Sequence, residues 1–194
     1  MSQQPVDDLR ALIGDAQRIV IFTGAGISTE SGIPDFRSPG GIWTRYKPIM
    51  FDDFMRSAES RRESWRRKIE TDKTMTVAQP NRGHLAVAAL VNRGLCTAVI
   101  TQNIDGLHQV SGVPADQVIE LHGNSTYAKC LDCDTRMEIP PILEAFARDE
   151  TMPECPSCSS EYVKTATISF GQSMPEAEMR RAEQQRQKTG EQQQ

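Results

Sequence analysis

Ile19-Val20-Ile21-Phe22-Thr23-Gly24-Ala25-Gly26-Ile27-Ser28 is the stretch whose reading decides the fold. Four β-forming apolar residues in a row, with no polar alternation, fit a strand buried on both faces. The run leads straight into Gly24-Ala25-Gly26, which lets the backbone turn sharply and approach a phosphate without Cβ clashes. A helix N-terminus after such a turn supplies N–H donors and a positive dipole end. The hydride-transfer fingerprint places a third glycine where this chain has Thr29, so the standard dinucleotide signature is not met, and a bare tight turn stays open as an alternative. Gly32-Ile33-Pro34-Asp35-Phe36-Arg37 strengthens the phosphate reading. Asp35 offers an acceptor, Arg37 a phosphate-pairing fork, and Phe36 an aromatic cover.

Outward from this turn, Val6, Leu9, Leu12, Ile13 and Ala16 repeat at helical spacing, predicting a helix over 6–17. The Pro- and Gly-rich segment 32–50 reads as loop. Helices are predicted over 52–70, with Asp52 or Asp53 as N-cap, and over 81–93, with Gly94 as the stop. Thr97–Thr101, Val118–Leu121 and Thr165–Phe170 read as further strands, and Glu176–Arg186 as a helix. Helices between parallel strands give an α/β protein with a doubly wound, Rossmann-like parallel sheet. Ligands in such sheets sit at the carboxyl ends of the strands. Gln102, Asn103 and Asp105 follow the second strand there, although Asn-x-Asp alone also fits a helix cap. His122 ends the third strand at the same edge, where an imidazole suits general-base work near neutral pH. His84 opens an Ala/Leu helix and reads as structural, and His108 stays open between the two roles.

Cys130-x-x-Cys133 and Cys155-x-x-Cys158 make a four-thiolate zinc site, structural because no coordination position is left for substrate. They lie in a segment, 126–164, read as a small inserted zinc-binding subdomain. The dinucleotide domain is then 1–125 with 165–182, and the apolar-free stretch 183–194 is expected to be a disordered polar tail. Cys96, in an apolar run, reads as a small buried hydrophobe. The chain has 194 residues, 38% of them hydrophobic, and a net charge of −4, which gives no support for direct nucleic-acid binding. The run Arg61, Arg62, Arg66, Arg67 and Lys68 is interleaved with glutamates and reads as a solvated helix face. With no bilayer-length apolar stretch and no apolar core within Met1–Arg10, no membrane association and a cytoplasmic location are expected.

Taken in order over residues 18–172, these strings resemble the sirtuins, NAD-dependent protein lysine deacylases. The matching segments are Gly24 to Arg37, Thr101 to His108, Glu120 to Asn124, the four paired cysteines and Phe170-Gly171. The resemblance implies NAD as cofactor beside one structural zinc, and acylated-lysine proteins as substrates. It implies that Gly24, Ala25 and Gly26 approach the pyrophosphate and that Thr29, Asp35, Phe36 and Arg37 shape the cofactor loop. It also implies that Gln102, Asn103, Ile104 and Asp105 hold the nicotinamide ribose and carboxamide, with Asn103 and Asp105 in the catalytic set, and that His122 is the general base. The acyl group passes from lysine to ADP-ribose with release of nicotinamide. Family members continue beyond the Phe-Gly segment with about three more strands, so the sheet is expected to be incomplete here. The open edge of Ile19–Phe22 and weak or absent activity are the corresponding expectations. A catalytically inactive zinc-stapled binding module and an NAD-dependent ADP-ribosyl transferase remain the alternatives. A Tyr-x-x-Arg pair, which selects acidic acyl groups in some members, is not evident, since Glu63 stands where the Tyr would be if Arg66 aligned.

Overall fold

In a computed structural model of the chain, residues 4–35 and 47–190 are described. Phe36 and Arg37 lie outside the described residues. Helix α1 (Gln4–Asp15) leads into β1 (Ile19–Thr23), a 3-10 turn (Ala25–Ser31), α2 (Phe51–Arg56), α3 (Ala58–Met75) and α4 (Arg82–Asn92). Then come β2 (Cys96–Thr101), α5 (Leu107–Val110), β3 (Val118–Glu120), β4 (Gly123–Cys130), β5 (Arg136–Glu138), α6 (Ile139–Asp149), β6 (Val163–Thr167) and α7 (Glu176–Gly190).

Strands β1, β2 and β3 form a parallel sheet in that order, with Ile19 opposite Cys96 and Val99 opposite Val118. The central strand is covered on both faces, which is why its sequence runs apolar without alternation. Val99 and Cys96 pack with Val87, Ala88 and Val91 of α4. Ala98 and Ile100 pack with Ile119 and Leu121, against Met174 and Ala182 from the α7 side. Among the described residues no strand lies on the other side of β1, and Phe22 there is 60% exposed.

The second sheet is antiparallel, in the order β5-β4-β6. This corrects the reading of Thr165–Phe170 as a fourth parallel strand. The strand is β6, and it runs back beside β4 with Val163 opposite Cys130, because the paired cysteines bring the two ends of the inserted segment together. The boundaries expected at 126 and 164 fall inside β4 and β6. The core of this half is Trp65 of α3 with Ala128, Cys130, Ile139, Phe146, Cys155 and Val163.

Three local expectations change. The helix over 52–70 is two helices, because Ser57 adopts an extended backbone and its side chain accepts from Ser60 N to cap α3. Asp52 and Asp53 lie in the first turn of α2, and the N-cap is Met50. Helix α7 continues to Gly190, and Gln185 accepts from Thr97 Oγ1 at 3.3 Å, where a disordered tail was expected from 183. The basic run is not a uniformly solvated face either: Arg61 and Lys68 are buried, and Arg66 grips Glu150 through two bonds of 2.7 and 2.8 Å. Cys96 behaves as expected, 1% exposed with its thiol on Ala98 O.

The two sheets meet at Gly123, with φ of 72°. A Cβ there would lie 2.0 Å from the Ala166 carbonyl oxygen, so only glycine permits β4 to leave the parallel sheet this close to β6. Gly123→Ala should therefore lower stability by roughly 3 kcal/mol or more in urea unfolding. Gly14→Ala, inside α1 with open space around it, should be neutral or stabilising by up to about 1 kcal/mol.

Candidate active site

Three chain segments converge at the carboxyl ends of β1, β2 and β3. Each is pinned by groups that cannot find water. Ser28, 1% exposed, donates to Asp105 Oδ2 at 2.7 Å and accepts from Asn103 Nδ2 at 3.1 Å. Its Oγ also lies 3.5 Å from His84 Nε2. Asn81 N donates to His84 Nδ1, so Nδ1 carries no proton and the Nε2–H faces Ser28. The other Asp105 oxygen accepts from Leu107 N at 2.9 Å, so one carboxylate both holds the glycine turn and starts α5. Asn81 caps α4 through Gly83 N and His84 N, and its amide donates to Ile27 O at 2.6 Å. The helix start is thereby tied to the glycine turn.

Below this lies a second buried group. Thr23 donates to Thr101 Oγ1 at 2.8 Å and meets His108 Nε2 at 2.9 Å, while Asn103 N donates to Thr101 Oγ1 at 3.0 Å. Among the described residues His108 Nδ1 has no partner. The His84 and His108 rings lie 5.1 Å apart. Burial, and then the neighbouring His84, hold His108 down at about 4 against a slight opposing pull from Asp105. Burial likewise lowers His84. Both rings are structural, as expected for His84 and left open for His108.

His122, at the junction of the sheets, has Nδ1 3.0 Å from the Gln102 carbonyl oxygen. A carbonyl only accepts, so Nδ1 carries the proton and Nε2 keeps its lone pair. The backbone on either side is fixed: Ile168 N donates to His122 O, and Ser125 donates to Ile104 O through both N and Oγ. Glu120, two residues before the histidine, accepts from Gln109 and Asn124, and burial pushes its carboxyl up.

A cavity of about 880 Å³ opens at this edge. Ala25, Gly26, Asp35, Gln102, Asn103, Ile104 and His122 line it, and Lys68, Ser125, Lys164, Thr167 and Ile168 extend its wall. Most of the expected site residues are thus gathered in one place. Gly24 and Asp105 stand behind the wall, and Thr29 closes its own turn by donating to Gly26 O at 3.0 Å. Among the described residues nothing lies within 4 Å of where a Gly26 Cβ would be, so the turn presents bare backbone to the cavity. Such a surface fits a dinucleotide's phosphates. Ser28 and Lys164 carried no role in the sequence, and Lys68 was read there as part of a solvated helix face.

The four cysteines form a separate centre. Their sulfurs all lie within 4.8 Å of one another, with Cys130 to Cys158 at 3.6 Å and Cys133 to Cys155 at 3.4 Å. Tetrahedral thiolates on zinc sit roughly 3.8 Å apart, so this donor set fits one zinc with no open position.

The molecule is thus an open parallel α/β protein with a ligand cavity at the strand ends and a four-thiolate metal module beside it. The model of the Sir2 family matches residues 24–190, and the chain belongs to that family. It is 55% identical over 177 residues to an NAD-dependent protein deacetylase of Rhodopseudomonas palustris, covering 91% of this chain and 70% of that protein. It is 56% identical over 177 residues to NAD-dependent protein deacetylase 1 of Bradyrhizobium diazoefficiens, covering 91% and 69%. A solved Sir2 structure with a deacetylated p53 peptide and 3'-O-acetyl ADP ribose superposes with a TM-score of 0.80 at 35% identity, covering 91% of this chain and 70% of that one.

Two outcomes follow from the site. His108 binds its proton more weakly folded, at about 4, than unfolded, at the ordinary imidazole value of about 6.5. Its contribution is therefore complete above the unfolded value and is lost as pH falls from there toward about 4. Between pH 7 and pH 5 the parent should lose about 2 kcal/mol more than His108→Gln in urea unfolding, and equal losses would contradict the buried neutral ring. In the metal module, one zinc per chain should survive gel filtration. Cys130→Ala should lose it and raise amide exchange across β4 to β6, and a reduced, metal-free parent with unchanged protection there would contradict the assignment.

Proposed function

We infer that the chain is an NAD-dependent protein lysine deacylase, a deacetylase in the first instance. With water taken up, acyl-lysine and NAD give free lysine, nicotinamide and O-acyl-ADP-ribose. One observation carries the reading. A histidine whose Nδ1 proton is held by the Gln102 carbonyl turns its basic nitrogen toward the cavity that the glycine turn also lines. NAD supplies, when bound, the ribose carbon that accepts the acyl oxygen as nicotinamide leaves.

The residues of this chain do the rest. Gly24, Ala25 and Gly26 bring backbone to the pyrophosphate, with Thr29 holding their turn and Asp35 on the cavity wall. Phe36 and Arg37 belong to the same proposed set. Gln102, Asn103 and Ile104 orient the nicotinamide ribose and carboxamide, and Asp105 keeps Ser28 and Asn103 aligned from behind. His122 takes a proton from a ribose hydroxyl at Nε2. The substrate is a protein lysine bearing an acyl group, and no membrane or nucleic-acid partner forms part of the proposal. The division into a nucleotide part, 1–125 with 165–182, and a zinc part, 126–164, belongs to it too. So does a cytoplasmic location, supported by thiols kept for a metal site rather than for disulfides.

The test is release of nicotinamide coupled to loss of acetyl from a lysine peptide. His122→Ala should reduce it by roughly 10²–10⁴-fold while the unfolding midpoint stays within experimental error. Equal turnover in variant and parent would remove His122 from its role. NAD-dependent labelling of protein without deacetylation would favour the transferase alternative.

A further inference from the structure

Lys68 is the one cavity residue of α3 whose charge has no solvent to go to. It is 7% exposed, and its stem lies along the inner wall with Ser64, Thr71 and Met75, all uncharged. Its ammonium is occupied twice. Asp72, one turn further along α3, takes it at 2.5 Å, and the Ser125 carbonyl takes it at 2.7 Å. Ser125 is bonded in turn to Ile104 O and lies three residues after His122, so the ammonium is anchored to β4, the strand that follows the proposed base. Asp72 itself does not line the cavity. The carboxylate therefore sits behind the lysine and cancels its charge from the helix side.

Among the described residues the remaining cations of that wall are otherwise committed. Arg67, nearer solvent, donates to Glu63 at 2.7 Å and to the Lys47 carbonyl. Lys164, across the cavity on β6, donates to two carbonyls of its own strand, Thr165 O and Thr167 O, and burial holds it down at about 8. Among the described residues, what the α3 side of the wall offers an entering side chain is consequently an apolar and hydroxyl surface with one neutralised ion pair, while Lys164 opposite keeps an ammonium held by carbonyls alone.

We propose that the Lys68–Asp72 pair determines the acyl class: Asp72 withholds Lys68 from acyl groups ending in a carboxylate, and the chamber takes short uncharged ones. The inference rests on the deacylase reading and names its substrate class. The physical argument is one of substitution. A buried ammonium needs a counter-charge, and either Asp72 or a carboxylate on the substrate can supply it. While Asp72 is present, a second carboxylate beside Lys68 would be desolvated without a partner of its own there. Asn in its place keeps the shape and an acceptor for the lysine but leaves the charge uncompensated, and specificity turns on that difference.

The experiment compares acetyl-, succinyl- and glutaryl-lysine on one peptide sequence, with NAD, in the parent and in Asp72→Asn. The parent should favour acetyl. In Asp72→Asn the succinyl-to-acetyl ratio of kcat/KM should rise by at least about tenfold. Adding Lys68→Met to Asp72→Asn should abolish the rise, whereas adding Lys164→Met should leave it, which separates the two buried amines. A ratio unchanged by Asp72→Asn, a rise that survives Lys68→Met, or a parent that already prefers succinyl overturns the proposal. Asp72→Ser reads the same ratio should the Asn variant not fold. Fluorescence anisotropy of the three labelled peptides separates the two layers of inference. A parent that removes no acyl group defeats the deacylase reading, while the binding ratio in Asp72→Asn still decides the charge argument in either direction.

Discussion

The arrangement of the strand ends hangs on a buried serine hydroxyl. Ser28 Oγ is bonded by Asn103 and Asp105, and faced by His84, so it joins the turn after β1, the segment after β2 and the start of α4. A hydroxyl has one proton and two lone pairs, and here one donation and two acceptances use them all. A polar group this deep is costly unless fully partnered, and fully partnered it admits only one arrangement of its neighbours. The glycine turn and the Gln102–Asp105 segment therefore hold their relation to each other before any ligand arrives. Asp105 extends the constraint by accepting from Leu107 N, which fixes where α5 begins.

The same economy sets protonation. Two imidazoles 5.1 Å apart and tilted 59° to each other cannot both be charged, since among the described residues neither has a carboxylate in hydrogen-bonding contact and a charge on one repels a charge on the other. Neutral rings leave defined donors and acceptors, and the tautomer of His84 follows from Asn81 N while the orientation of Ser28 follows from His84. His122 lies outside this cluster, half-buried and turned toward the cavity, and its tautomer is set by a different carbonyl. The chain thus separates two buried, neutral imidazoles from one that faces the cavity, and the proposed base role falls to the latter.

How much of this the sequence disclosed depends on what each residue answers to. The parallel strands were legible because β2 is buried on both faces and cannot be anything but apolar. The four cysteines were legible because metal chemistry dictates both residue type and spacing. Strand β4, Gly123-Asn124-Ser125-Thr126-Tyr127-Ala128-Lys129-Cys130, gave no such sign. Its first half is polar because those side chains serve Glu120 and Ile104 rather than a core. With β4 unseen, β6 could only be assigned to the wrong sheet. Ser57 broke a predicted helix because one residue both ends α2 and caps α3, a choice that depends on where Phe54 and Trp65 must be buried. Lys68 read as solvated because nothing local announces a partner strand 57 residues away. Pairwise long-range contacts are what a single sequence hides.

Helix α3 shows why the metal module and the cavity are one mechanical unit although they share no ligand. One face of the helix sends Trp65 into the core around Cys130 and Cys155, with Ile69 packed beside it. The next turns of the helix place Lys68, Thr71 and Met75 on the cavity wall. Arg66 fastens the same helix to Glu150, at the end of α6, and Arg61, 5% exposed, reaches from it to Glu161 near the start of β6. The exposed Arg66–Glu150 pair contributes little alone, so the helix is positioned chiefly by the burial of Trp65 and of the Arg61 stem. That burial exists only while the four thiols hold β4 and the segment before β6 together. The metal centre therefore needs no contact with substrate to matter for it: by keeping the tryptophan's socket closed, it sets where the lysine-bearing wall of the cavity stands.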